Sequence, residues 1–120
     1  LDVKAAEGGF YSNHYDPGDT RPIVVDWLKK YGEAYKDDAG NPKVPDALAT
    51  LAYDAANLLL AAIEKAGTDD PAAVKDALAA IKWEGVSGTI TFDAQHNPIK
   101  CAAVISVLNG QKIYSDTVCP

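Results

Sequence analysis

The first sustained periodicity along the chain begins at Pro22, where Ile23, Val24, Trp27, Leu28 and Tyr31 recur at helical spacing while Asp26, Lys29, Lys30 and Glu33 take the other face. This pattern predicts a surface helix with one buried stripe, started by Thr20 or Asp19 as cap and by Pro22 in a first turn that needs no backbone donor. The stretch "VPDALATLAYDAANLLLAAIEKAG", residues 44 to 67, predicts a long second helix. Pro45 opens it, Asp46 sits near the positive end of its dipole, and Gly67 closes it as a C-cap. Its expected apolar stripe is Leu48, Leu51, Ala52, Ala55, Leu58, Leu59, Ala62 and Ile63. A third helix is expected in "TDDPAAVKDALAAI", with Asp70 as cap, Pro71 in the first position and Val74, Ala77, Leu78 and Ile81 inward.

From Gly85 the period changes. "GVSGTITFDAQHNPIKCAAVISVLNGQKIYSDTV" is rich in β-branched residues, with turns expected at "DAQHNP" and at Asn109-Gly110, a strong hairpin signal. Near the start, Gly8 to Tyr15 carries β-favouring aromatics and runs into the turn formers of "DPGDT". The expected order is therefore one strand, three helices, then about three strands, an α/β arrangement without internal repeats.

Within the long helix, Tyr53-Asp54 interrupts an Ala- and Leu-rich run. Composition alone favours a boundary tyrosine with its hydroxyl in water and a solvated aspartate.

Composition narrows the function classes. At 120 residues the chain makes at most one domain, long enough to bury a core, with 48% apolar and 23% charged residues as in soluble globular proteins. Seventeen acidic against eleven basic residues give a net charge of −6, and the basic residues are single or in isolated pairs such as Lys29-Lys30. Nucleic acid is excluded as an expected partner, because phosphate binding needs clustered Lys and Arg. The longest uninterrupted apolar run, Leu58 to Ile63, falls far below the roughly 20 residues that span a bilayer. The first residues, "LDVKAAEGGF", show neither an initiator Met nor a leader pattern, and Met is absent throughout, so the expectation is a piece of a longer polypeptide.

Candidate chemistry is sparse. His14 and His96 are isolated from other ligand types, so no metal site or cofactor is expected. "DAQHNP" alternates oxygen-bearing side chains at Asp93, Gln95 and Asn97, but it lacks the Gly and distal Glu of a calcium loop and reads as a turn. No nucleophile elbow, phosphate loop or paired base is visible, and an enzyme is not expected. Cys101 and Cys119 flank the last hairpin almost symmetrically about Asn109-Gly110. A register centred on Gly110 sets them opposite each other, whereas a two-residue Asn-Gly turn offsets them by one, so geometry leaves both a disulfide and two free thiols open.

Five segments, "AEGGFYSNHYDP", "VVDWLKKYGEAYKD", "VPDALATLAYDAANLLLAAIEKAG", "DPAAVKDALAAI" and "WEGVSGTITFDAQHNPIKCAAVISVLNGQKIY", together resemble the C-terminal third of the periplasmic solute-binding proteins of branched-chain amino-acid ABC transporters. The resemblance covers essentially the whole chain. It implies the C-terminal portion of a two-lobed type I periplasmic-binding-protein fold, three helices plus a C-terminal β-hairpin region, that closes on an amino acid or related small carboxylate and delivers it to a membrane permease. By that analogy residues 1–15 form a second-lobe strand, residues 20–93 lie mainly in the first lobe, and residues 98–120 return to the second as a hairpin. Tyr53-Asp54 becomes a signature of a helix packed beside hinge and cleft.

The family's main grips on ligand lie outside this chain. Aligning on Tyr53 sets Leu48 where some relatives place an aromatic over the ligand side chain; Tyr11 and His14 on the crossover strand are the other ligand-binding candidates. The implied periplasmic or extracytoplasmic location favours a Cys101–Cys119 disulfide. A portion carrying parts of two lobes leaves apolar surface around Leu51, Leu58 and Leu59 uncovered, so a homodimer is expected. The alternatives are a ligand-binding sensory module of a receptor with the same fold and, more remotely, a small α/β enzyme.

Overall fold

The computed structural model describes residues 3–120. After a short 3-10 turn at Val3–Ala6 come β1 (Phe10–Asn13), α1 (Pro22–Ala34), α2 (Ala47–Ala66) and α3 (Pro71–Ala79). The chain finishes with β2 (Trp83–Gly85), β3 (Gly88–Phe92), β4 (Pro98–Ile99), β5 (Ala102–Leu108) and β6 (Gln111–Val118). The strands form two antiparallel sheets, β1-β5-β6 and β2-β3-β4. Beyond the helices there are thus five strands where about three were expected. The difference arises at two places: Val86-Ser87, a two-residue turn that pairs Gly85 with Gly88 and makes a separate β2-β3 hairpin, and Lys100-Cys101, where β4 in one sheet gives way to β5 in the other.

Local signals explain the helix ends. Asp70 accepts from Ala73 N at 3.0 Å, the cap that the sequence predicts, and Asp46, expected only to sit near the positive end of the dipole, caps α2 by accepting from Ala49 N at 2.8 Å. Gly67 closes α2 in the left-handed region at φ 67°. At α1 the expectation fails: the cap position is Arg21, without a side-chain cap. Asp19 instead accepts from Arg21 N at 2.9 Å and from Arg21 Nε at 2.7 Å, turning its carboxylate toward the arginine.

The core has two parts. Leu58 and Ala62 of α2 meet Val74 of α3, Ile81 and Ile90 in one; Tyr15, Val24, Trp27 and Val86 form the other. The buried stripe of α2 is Thr50, Asp54, Leu58 and Ala62, turned by roughly a quarter turn from the stripe that hydropathy predicts. Leu58 is therefore covered within the chain and Leu51 is half-buried, contrary to the expectation that both lie bare. Leu59 is exposed, as are Leu60 and, at 75%, Leu48. By length and mean hydropathy α2 could cross a bilayer, but it packs its buried stripe, Asp54 included, against protein.

The last hairpin resolves the cysteine question. The turn takes two residues, Asn109 and Gly110, so Leu108 pairs with Gln111 and the ladder runs regularly to Ile105 and Tyr114. A β-bulge then shifts the register, and Val104 faces Asp116, Ala103 faces Thr117 and Ala102 faces Val118. Ser115 is the extra residue, and its insertion cancels the one-residue offset of the Asn-Gly turn. Cys101 and Cys119 come opposite each other with Cα atoms 4.1 Å apart and form the disulfide.

Candidate functional site

Asp54 is 2% exposed, which corrects the reading of a solvated aspartate. Its Oδ1 accepts from Val86 N at 2.9 Å and its Oδ2 from Ser87 N at 2.7 Å, so the carboxylate satisfies both backbone donors of the β2-β3 turn. The close approach requires glycine at position 85, where a Cβ would stand 2.7 Å from Asp54 Oδ2. From the other side of the turn, Arg21 Nη2 donates to Val86 O at 2.8 Å. One carboxylate thus joins the middle of α2 to a turn 32 residues later, and the arginine at the start of α1 completes the clamp.

The first turns of α2 are fixed in the same manner. Trp27 Nε1 donates to Thr50 Oγ1 at 3.0 Å, and that hydroxyl donates to Asp46 O at 2.9 Å. The Tyr53 ring stacks on Trp27 with centroids 4.2 Å apart. The buried Tyr15 hydroxyl donates to Pro45 O at 3.2 Å, and burial, helped by the charge of Asp16, pushes its pKa up to about 12. The segment after β1 is thereby held against the start of α2.

Between these elements lies an open cleft of about 590 Å³. Tyr11 and Asn13 of β1, Asp16, Pro45, Asp46, and Lys112 and Tyr114 of β6 line it, with Lys112 the one basic side chain among the described residues of its wall. The sheet β1-β5-β6 makes one wall and the entry to α2 the other. The wall thus offers a small molecule with both an acidic and a basic group one cation, Lys112, and two carboxylates, Asp16 and Asp46.

The sequence candidates are divided by the structure. Tyr11 lines this cleft. Leu48 follows the lining residue Ala47 but is not itself in the wall. His14 lines a second cavity, of about 420 Å³, together with Arg21, Ser87, Tyr114 and Thr117. Its carbonyl accepts from Lys100 Nζ at 3.5 Å, and burial holds that ammonium below its usual range against the pull of Asp54. Lys112, Tyr114 and Asp16 escaped the sequence reading, since each reaches the cleft through strand pairing or a loop and none belongs to a local motif. The turn "DAQHNP" is a turn: Asp93 Oδ1 accepts from Gln95 N and Asn97 N, each at 2.8 Å, and its Oδ2 from Asn97 Nδ2 at 3.1 Å.

A family model described as a periplasmic binding protein matches residues 1–112. The chain belongs to the periplasmic binding protein family. Among solved structures it is similar to a leucine-binding protein LivK from Thermotoga maritima, at 32% identity and TM-score 0.74 over 98% of this chain and 32% of that one. It is also similar to the branched-chain amino-acid transporter substrate-binding protein LivJ from Streptococcus pneumoniae, solved with isoleucine, at 27% identity and TM-score 0.76 over 98% of this chain and 32% of that one. A solute-binding protein of an ABC transporter from R. palustris, in complex with benzoate, shares the fold at 24% identity and TM-score 0.76, over 97% of this chain and 31% of that one. The chain spans about a third of the length of these relatives. Among curated proteins none matches.

Proposed function

We propose that this chain is the C-terminal third of an extracytoplasmic solute-binding component of an ABC transporter, which captures an amino acid or related small carboxylate and delivers it to a permease. The observation that carries the reading is the cleft lined by β1, β6 and the entry to α2, whose wall holds the cationic Lys112 together with the carboxylates of Asp16 and Asp46. The leucine and isoleucine named for the relatives fit that mixed charge; benzoate, named for another, would use the cation alone. In this reading residues 1–15 belong to the second lobe, residues 20–93 mainly to the first, and residues 98–120 to the second. Tyr11 contributes to the cleft wall, Leu48 faces the ligand side chain from the missing side of α2, and His14 marks the crossover. The disulfide supports an oxidising, extracytoplasmic location. The bare face at Leu59 and Leu60 meets the rest of the first lobe in the full-length protein, and in the chain alone it drives a homodimer.

Titration calorimetry of the full-length protein against leucine, isoleucine and benzoate tests this. One of them binds with micromolar or tighter affinity, and Lys112→Ala weakens it by about tenfold, the effect of losing one charge-assisted bond. No heat from any of the three, with the protein folded, removes the proposal.

A further inference from the structure

The bulge that aligns the cysteines also sorts the side chains of β6. In an unbroken strand residues three apart point to opposite faces. Tyr114 and Thr117 nevertheless both line the cavity of about 420 Å³ beside Arg21 and His14. Tyr114 OH and Thr117 Oγ1 lie 2.6 Å apart. They share a face because Ser115 is inserted between them: Ile105 pairs with Tyr114, but Ala103 pairs with Thr117. Asp116, opposite Val104, is turned to the other face.

Little else in β6 holds that register. It is an edge strand, and every residue of it except Tyr114 is exposed. A strand with neither face buried specifies its register weakly. The Asn109–Gly110 turn demands the regular register, in which Val104 would face Ser115, Ala103 would face Asp116 and Cys101 would face Val118. The disulfide demands the shifted one. Against the turn stand the Tyr114–Thr117 contact and a Ser115 Oγ to Ser106 Oγ hydrogen bond of 2.7 Å, both on the exposed edge.

We propose that the Cys101–Cys119 disulfide is a redox-controlled register lock that decides whether Thr117 or Asp116 faces the Arg21 cavity. A dithiol reductant breaks the S–S bond by thiolate exchange; each cysteine sulfur leaves as a thiol with one proton, and the dithiol closes to its own disulfide. The end of β6 then slips by one residue into the register of its turn. Ser115 joins the ladder, Thr117 leaves the cavity face, and the Asp116 carboxylate takes its place opposite Ala103. The cavity wall that holds Arg21 and His14, with Asp19 already on it, gains a second negative charge. The proposal does not depend on what solute the protein carries.

Cross-strand NMR contacts in the full chain, oxidised and after dithiothreitol, read the register directly. The oxidised protein gives Ala103–Thr117 contacts; the reduced protein replaces most of them with Ala103–Asp116 contacts. The double variant C101A/C119A shows the slipped register without reductant. Deleting Ser115 removes the conflict, because the turn then brings Cys101 and Cys119 opposite unaided, so this variant keeps its disulfide and its Ala103–Thr117 contacts survive reduction. Persistence of Ala103–Thr117 contacts in the reduced wild-type chain overturns the proposal. So does loss of both sets of contacts, which would mean that the strand end frays instead of slipping.

Discussion

On one side of α2 lie Thr50, Asp54, Leu58 and Ala62, all buried; on another lie Leu48, Ala52, Ala55 and Leu59, all exposed. The buried side contains a hydroxyl and a carboxylate, and the exposed side contains only apolar groups. If transfer from water decided the matter within this chain alone, the two would be exchanged. They are not, because Asp54 and Thr50 are satisfied: the first by Val86 N and Ser87 N, the second by Trp27 Nε1 and Asp46 O. A buried polar group with full partners costs little, and it fixes the rotation of the helix in a way that leucines cannot. The bare leucines are then the surface that the rest of the proposed solute-binding protein would cover; the chain spans about a third of the length of its solved relatives.

Substitutions on the two faces should separate accordingly. Asp54→Ala orphans two buried backbone donors, and it should lower stability by about 4 kcal/mol, read as a fall in the denaturation midpoint. Asp54→Asn keeps one good acceptor and should recover part of the loss. Leu58→Ala opens a cavity in the cluster with Val74 and Ile90 and should cost about 3 kcal/mol by the same measurement. Leu59→Gln, on the bare face, should change the stability of this chain by less than about 0.5 kcal/mol. Its effect should appear in light scattering, as a weakening of the proposed homodimer. A large destabilisation by Leu59→Gln together with a mild one by Asp54→Ala would reverse the assignment of the faces.

The sequence could reveal whatever depended on neighbours a few residues away. Asp46, Asp70 and Gly67 act as caps through bonds within four residues, and Asn109-Gly110 turns the hairpin by its own backbone preference. The rotation of α2 was not legible, because hydropathy adds the bare stripe to the buried one and points between them. Nor was the burial of Asp54, whose partners lie 32 and 33 residues away. The one hint was Gly85-Val86-Ser87-Gly88, whose glycines permit close approach at the first and φ 108° at the last. The disulfide stood between two registers until the bulge at Ser115, which carries no sequence signature, decided it. Of the cleft wall, Tyr11 was already singled out on the strand that the resemblance makes a crossover, while Lys112 and Tyr114 needed the pairing of β5 with β6 to bring them to the cleft.

In the proposed solute-binding protein the cleft, like the bare face of α2, is completed by the rest of the chain. An amino acid offers an ammonium and a carboxylate, each requiring several fixed partners when buried. Lys112, Tyr11 and the two aspartates at the cleft supply only part of that set, whereas micromolar affinity needs about 8 kcal/mol net. The most direct test is calorimetric titration of the isolated 120-residue chain beside the full-length protein, each against leucine and isoleucine. The full-length protein should bind with micromolar or tighter affinity and the chain alone should show no binding in that range; a micromolar dissociation constant for the isolated chain would mean that the site is complete without further residues.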